Sequence, residues 1–418
     1  MSSPSRTFIS PWILWGCAGL FYAFQFALRV SPTVMSKELF EAFQVGPYEL
    51  GLLGSIYYYG YAALQIPAGA LVDKFGPKRN VLLALLLCVL GSLLFVATSN
   101  FTLALIGRLA IGIGSAFAFL ACFKIITVWF HPSKLPLLVG STFLIGTCGA
   151  LGAGAPLAMG VNAYGWKTMM VYLVAGGAML WVLSAIVLKD KPGTTANQKS
   201  SLLKNTLLVL KNRQSWLIGT YGALMYVPLA AFCDLWGVSF LTDVYGIDKG
   251  VASGLVPMVY LGLGLSAPFS GALSNVFQSY RKPLILGSVA TSLVFLFFMM
   301  QPSYSYLMFA LLLLLLGVAM MPQFLTFSLM VDVNSRELGG TAGGVNNMFS
   351  MLSGVIFQPL IGFLLSYFAS TWSTQMCYRA AFISIPLATI LASILPFFIK
   401  DTWAKDHEGM EETLQEAS

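Results

Sequence analysis

Apolar residues in this chain come in long runs broken by short polar links. The runs lie near residues 11–35, 47–72, 79–98, 101–130, 136–162 and 166–188, then 214–242, 250–276, 282–301, 304–331, 339–369 and 377–400. Each is long enough to cross a hydrocarbon core about 30 Å thick as a helix. They are rich in Gly, Leu and Phe and show no sustained alternation of period two, so helices are favoured over a β-barrel. The pattern predicts an all-α polytopic membrane protein of twelve transmembrane helices.

The longest polar stretch between runs, Lys189 to Arg213, divides the twelve into two sixes. It begins Lys-Asp-Lys-Pro-Gly-Thr-Thr, a flexible linker composition. Its second part sets Leu202, Leu203, Leu207 and Leu210 among Lys204 and Lys211, which predicts a short helix lying on the membrane surface. The two sides repeat one another. Gly60 and Gly69 correspond to Gly262 and Gly271, and Gly69-Ala-Leu-Val-Asp73 matches Gly271-Ala-Leu-Ser-Asn275. A repeat of six spans predicts two pseudo-symmetric halves related by an axis along the membrane normal. The expected organisation is an amino-terminal half at 1–190, a linker at 191–213, a carboxy-terminal half at 214–400 and a polar tail at 401–418.

Composition sharpens this picture. Of 418 residues 57% are hydrophobic and only 9% charged, and mean hydropathy is +0.80; soluble domains carry roughly a quarter charged residues. The net charge of +7 would suit nucleic acid, but its distribution argues otherwise. With the amino terminus inside, 16 of the 23 Lys and Arg fall on that side, 4 outside and 3 within spans. That asymmetry is the ordinary topological signal and places both termini in the cytoplasm. No signal-peptide pattern precedes Pro11, so the first run is expected to stay as a helix. The six cysteines show no metal-ligand spacing, and the two histidines lie in a loop and the tail. No metal site, cofactor or nucleic-acid partner is expected. The expected partners are a small-molecule substrate, membrane lipid and protons, around a monomer.

The link after the second run reads Gly69-Ala-Leu-Val-Asp73-Lys74-Phe-Gly76-Pro77-Lys78-Arg79. Gly69 is expected to let backbones approach, Gly76-Pro77 to turn the chain, and Asp73 to pair with a base or cap a helix end. This spacing resembles the signature loop between helices 2 and 3 of the major facilitator superfamily. In that family the loop latches the cytoplasmic gate, which would make Gly69, Asp73, Lys74, Gly76, Lys78 and Arg79 gating residues here. Arg108-Leu-Ala-Ile-Gly112-Ile-Gly114 is similar to a second motif of the superfamily. Three segments resemble, more narrowly, the phagosomal nutrient transporters of intracellular bacteria. They are Leu28-Arg29-Val-Ser-Pro32, Tyr57-Tyr-Tyr-Gly-Tyr-Ala-Ala-Leu-Gln65-Ile-Pro67, and Gly114 to Phe119 leading to Lys124. That group imports amino acids or nucleosides, and it implies a multi-pass protein of the bacterial inner membrane.

Charges inside spans cost several kcal/mol and call for a reason. Arg29 and Asp234 fall in the outer halves of spans 1 and 7, which are repeat partners. Either they pair and close the periplasmic side, or both line a cavity and hold opposite ends of a zwitterion; Asp234 is also the candidate proton-coupling site. Arg108 would either bond helix-1 carbonyls as a strut or bind a substrate carboxylate. Lys124 is about six residues from the inner end of span 4, roughly 9 Å, and would either snorkel or touch substrate. Tyr22, Gln25, Phe26, Tyr58, Gln65, Tyr226, Trp236, Gln323, Thr326, Asn346, Asn347 and Gln358 complete a candidate cavity.

No phosphate-binding loop is present, which argues against direct use of ATP, and the spans lack the clustered acids or histidines an intramembrane enzyme would need. The expectation is a secondary transporter working by alternating access and coupled to protons. Three cations against one acid inside the spans favour a substrate bearing a carboxylate. With the narrower resemblance, amino-acid import comes first, ahead of nucleoside, sugar-phosphate or organic-anion transport. A membrane sensor that does not transport is the reading from another class.

Overall fold

The computed structural model describes residues 10–131, 134–191, 202–300, 305–334 and 338–403. Among the described residues eleven helices are long and apolar enough to cross a membrane. We label them α1 (Pro11–Val34), α3 (Lys74–Ala97), α4 (Phe101–Trp129), α5 (Leu137–Tyr164), α6 (Trp166–Val187), α7 (Arg213–Tyr245), α8 (Lys249–Phe277), α9 (Arg281–Met300), α10 (Tyr306–Asp332), α11 (Gly339–Phe368) and α12 (Thr374–Phe397). The twelfth, α2, is residues 47–73, the tyrosine-rich first arm of the helical stretch Pro47–Ala97. Short helices Ser36–Phe43 and Leu202–Lys211 lie outside the twelve. The second falls where the leucine pattern predicts a short helix.

Polar residues at the ends explain where the helices start. Asn100, Asn212, Asp248, Ser305 and Ser373 each accept a hydrogen bond from an amide in the first turn of α4, α7, α8, α10 and α12. The Glu49 carboxylate does the same for the Gly46 amide before α2, where Pro47 opens the helix. The join of α2 and α3 is a bend within continuous helix rather than a separate polar link. Helix runs up to and away from Gly76, whose φ of +79° and ψ of 161° make the whole bend. Only glycine adopts that backbone cheaply.

The repeat is visible in the packing. A methyl at Gly60 would lie 2.7 Å from the Leu109 carbonyl oxygen, and one at Gly262 would lie 2.1 Å from that of Leu314. These are equivalent crossings of α2 on α4 and of α8 on α10, held at backbone contact by small residues. Gly69 does not behave this way. A methyl there would meet no atom within 4 Å, so the expected close approach is corrected: the nearest elements pass too far away to need a glycine.

The halves meet chiefly through α1 with α7, α2 with α11 and α5 with α8. At the end bearing Ser36–Phe43 they are stitched by Ser36 to Ser239 at 2.8 Å, Lys37 to Asp243 at 3.3 Å, and Lys249 to Glu38. At the opposite end two matched acids hold each half together. Asp190, just after α6, accepts the Lys78 amide at 2.9 Å beside the Gly76 bend. Asp401, just after α12, accepts the amides of Tyr280 and Arg281 at the start of α9. Lys189-Asp190 and Lys400-Asp401 are thus repeat partners, and Asp401 and Trp403 pack onto the fold although they begin the expected tail. Residues 404–418 lie outside the described residues, as do 192–201 of the linker.

Partial burial pushes the Asp401 carboxyl up, but hydrogen bonds from Ser279, Tyr280, Arg281 and Trp403 outweigh this and hold it below the usual carboxylate range. A depressed folded value means stability present above the unfolded value and lost as pH falls through the folded one. Asp401→Ala is therefore expected to cost about 1 kcal/mol, the worth of a helix cap. The deficit in melting temperature against wild type should be constant from neutral pH to about pH 5 and shrink below about pH 4, near the unfolded carboxylate pKa. A deficit independent of pH would show that the charge is not what Asp401 contributes.

Candidate functional site

Arg29 occupies the middle of the interface between α1 and α7. Its guanidinium is 2% exposed, and its Nε lies 3.4 Å from Oδ2 of Asp234, whose side chain is 1% exposed. Two further nitrogens donate to tyrosines of the other half, to Tyr226 at 3.3 Å and to Tyr260 at 3.1 Å. Its carbon sits 4.0 Å above the centre of the Phe26 ring, one turn back on α1. Asp234 is held in turn by the hydroxyls of Tyr260, at 2.5 Å, and Tyr58. Four helices, α1, α2, α7 and α8, thus converge on one ion pair. Loss of either charge from such a buried pair typically costs about 3–5 kcal/mol, because the survivor is left unpaired. The half-exposed pairs at the Ser36–Phe43 end are worth far less.

Local sequence explains both positions. Pro228 cannot donate a backbone hydrogen bond, and α7 widens from there into a π-helical stretch, Pro228–Trp236, that carries Asp234. On α1, Pro32 lies inside the helix and leaves the carbonyl of Leu28, four residues back, without its helical donor. Two side chains donate there instead: the Ser31 hydroxyl at 3.1 Å and, from α4, Arg108 Nη1 at 2.8 Å, the Arg108 carbon lying 5.2 Å from the Tyr57 ring centre. The strut role of Arg108 is therefore present in the geometry, set next to Arg29. Its Nε is buried without a partner.

The sequence profile described as the Major Facilitator Superfamily matches residues 14–358. The chain belongs to the Major Facilitator Superfamily. It is 23% identical to the probable galactarate/D-glucarate transporter GarP of Escherichia coli K12 over 90% of this chain and 91% of that protein. It is 22% identical to the probable sulfoacetate transporter SauU of Cupriavidus necator over 84% and 86%, and 23% identical to the hexuronate transporter of Bacillus subtilis over 76% and 79%. Among solved structures, a bacterial homologue of the human lysosomal transporter Spinster, inward-facing and unoccupied, aligns with a TM-score of 0.72 at 15% identity over 96% of both chains. The nucleoside transporter NupG aligns at 0.74, with 14% identity over 92% of this chain and 99% of that one. These likenesses show the twelve-helix fold, and the chain is a transporter of this superfamily, not an enzyme.

Within this superfamily member the remaining candidate residues separate by place. Tyr22 packs edge-on against Phe26 at 5.0 Å, and Gln25 accepts a hydrogen bond from Tyr57 at 2.8 Å. Both lie within two turns of Arg29 on α1. Asn347 donates to Gln65 at 2.7 Å, tying α11 to α2 across the halves. Asn346 donates to Thr326 at 2.9 Å and Gln323 to the Gly222 carbonyl at 3.3 Å, joining α10, α11 and α7. Trp236 is buried with its indole nitrogen 3.1 Å from the Gln358 carbonyl oxygen, a helix-packing contact between α7 and α11. Lys124 is half-buried farther along α4.

In the signature loop, Lys78 donates from Nζ to the Ala185 carbonyl at 2.8 Å, and Lys74 and Arg79 flank the Phe75 ring at 5.1 and 5.2 Å. The Asp73 side chain lies outside the described residues, so its expected latch has no geometry here. Tyr260 was not among the sequence candidates. It stands in an ordinary apolar stretch of α8, and only the structure brings it to both charges of the pair.

Removing the strut should cost stability. Arg108→Ala leaves the Leu28 carbonyl without its charged donor, a loss of about 1.5–3 kcal/mol, and the purified protein should melt earlier. Pro32→Ala in the same chain restores a helical amide to that carbonyl and should recover part of the loss. Melting curves of the two single variants and the double variant in one detergent check this. An additive double variant would refute the link between Pro32 and Arg108.

Proposed function

We propose that this transporter moves an organic anion together with a proton, using the Arg29–Asp234 pair as its switch. A single observation supports the reading: a buried guanidinium at the interface of the halves is neutralised by one carboxylate from the opposite half. A guanidinium binds a carboxylate through paired, charge-assisted hydrogen bonds, so a substrate carboxylate and Asp234 compete for the same partner. Protonating Asp234 removes its claim on Arg29 and frees the guanidinium for substrate. Deprotonation after substrate release restores the pair and rejoins α1 to α7. Proton and anion then travel together.

The three relatives described above are named as carriers of galactarate or glucarate, sulfoacetate and hexuronate. All of these solutes are organic acids, and this favours an organic anion over the amino acid expected from sequence. The Lys and Arg distribution supports a reading with both termini in the cytoplasm and the Ser36–Phe43 end outside. On that orientation the contacts Ser36–Ser239, Lys37–Asp243 and Lys249–Glu38 close the outer face, and we read uptake as the working direction. The inner (cytoplasmic) membrane of a bacterium is the matching location.

Asp234→Asn separates transport from coupling. Proteoliposomes bearing this variant should exchange labelled substrate down its gradient yet fail to concentrate it under an imposed pH gradient. Accumulation equal to wild type would remove Asp234 from the coupling path.

A further inference from the structure

Several buried side-chain groups near the Arg29–Asp234 pair lack a hydrogen-bond partner. On α1 and α4 they are the donors Gln25 Nε2 and Arg108 Nε, and farther along α11 the Gln358 Oε1 is also unmatched; around Gly222 of α7 two acceptors stand together, Gln323 Oε1 and Asn346 Oδ1. The acceptors are exposed by only 7% and 0%. Their orientations follow from their neighbours. The Thr326 hydroxyl donates to the Gln323 carbonyl at 2.6 Å, so it must accept from Asn346, which turns the Asn346 oxygen away. The Gln323 amide nitrogen faces the Gly222 carbonyl, which leaves its oxygen free. An unmatched buried acceptor costs about 1–3 kcal/mol, and both would be satisfied by donors on a ligand.

Gly222 lies between these groups. A methyl there would sit 3.6 Å from Asn346 Oδ1 and 3.4 Å from Ser350 Oγ, so the glycine keeps the cradle open. It is also one helical turn from Tyr226, whose hydroxyl is 3.3 Å from Arg29. Four residues rise about 6 Å along a helix, close to the length of an extended six-carbon chain. A second path joins the same two places: Phe26, against Arg29, touches Phe143 at 6.3 Å, which touches Phe324, next to Gln323, at 5.3 Å.

We infer that Gln323 and Asn346 form a hydroxyl-reading subsite beside Gly222, one helical turn along α7 from the Tyr226 that touches Arg29, selecting a polyhydroxy monocarboxylate of the aldonate or uronate type. The inference rests on the reading of Arg29 as the carboxylate site. Both unmatched groups are neutral carbonyl oxygens. They welcome hydroxyl donors, repel a second carboxylate, and offer no counter-charge to an ammonium.

Isothermal titration of the purified protein with six-carbon aldonates and uronates, hexanoate, 6-aminohexanoate and glucarate tests this. The best polyhydroxy monocarboxylate should bind at least about 100-fold tighter than hexanoate, as expected of a site whose polar groups would otherwise stay unpaired. It should also bind at least about tenfold tighter than glucarate or 6-aminohexanoate. Gln323→Leu should bring the preference over hexanoate below about tenfold. Gly222→Ala, a smaller change suited to the case in which that variant does not fold, should do the same by filling the cradle. Equal binding of hexanoate and the polyhydroxy acids, both weakened by Arg29→Gln, would overturn the subsite and leave the carboxylate reading standing. A tighter grip on glucarate or 6-aminohexanoate would also overturn it. Binding of no acid, or binding indifferent to Arg29→Gln, would overturn the carboxylate reading and this inference with it.

Discussion

An arginine cannot stay charged between apolar helices unless its neighbours supply the solvation that water would have given. Arg29 obtains that solvation almost entirely from across the interface, from Asp234, Tyr226 and Tyr260, with the Phe26 ring beneath it on its own helix. The arrangement binds the two halves through a charge that neither half can neutralise alone. It also means the halves cannot part at this level unless something else neutralises Arg29. A proton on Asp234 and an anion on Arg29 would do so together, which is why one contact can serve both as a closure and as a point of exchange.

The rest of the central architecture supports that contact. The π-helical stretch after Pro228 carries Asp234, and the break caused by Pro32 is repaired by Arg108, which anchors α4 to the turn of α1 that presents Arg29. Glycines at the crossings of α2 with α4 and α8 with α10 bring backbones into contact, so small shifts of one helix must be passed to its neighbour. The partly exposed ion pairs at the Ser36–Phe43 end contribute less energy each but close the same face.

Much of this was legible in the sequence, and the reasons are physical. Long apolar runs have one stable solution in a membrane, so the spans and the two-half repeat followed directly. Arg29 and Asp234 stood out because charges are rare in spans, and their equivalent places in spans 1 and 7 suggested that they meet. Tyr260 did not stand out, because a tyrosine in an apolar helix carries no mark of its partners. The caps made by Asp190 and Asp401 were missed although Lys189-Asp190 and Lys400-Asp401 stand after corresponding helices; the repeat was read in glycines rather than in charges. Gly69 was given a packing role from its motif, whereas open space surrounds it. The link from Pro32 to Arg108 was readable in principle, since proline always frees a carbonyl four residues back, but which side chain would reach it depended on tertiary packing.

The central claim is that neutralising Asp234 releases Arg29 and lets the Ser36–Phe43 end open. Spin labels at Glu41 and Gln375, both exposed at that end on opposite halves, report the separation directly by pulsed electron resonance, in a background where the exposed Cys148 is replaced by serine. The account predicts a single short distance at neutral pH without substrate, and a second, longer population in Asp234→Asn that grows when an organic acid is added. A distribution identical in wild type and Asp234→Asn, with and without the acid, would contradict it.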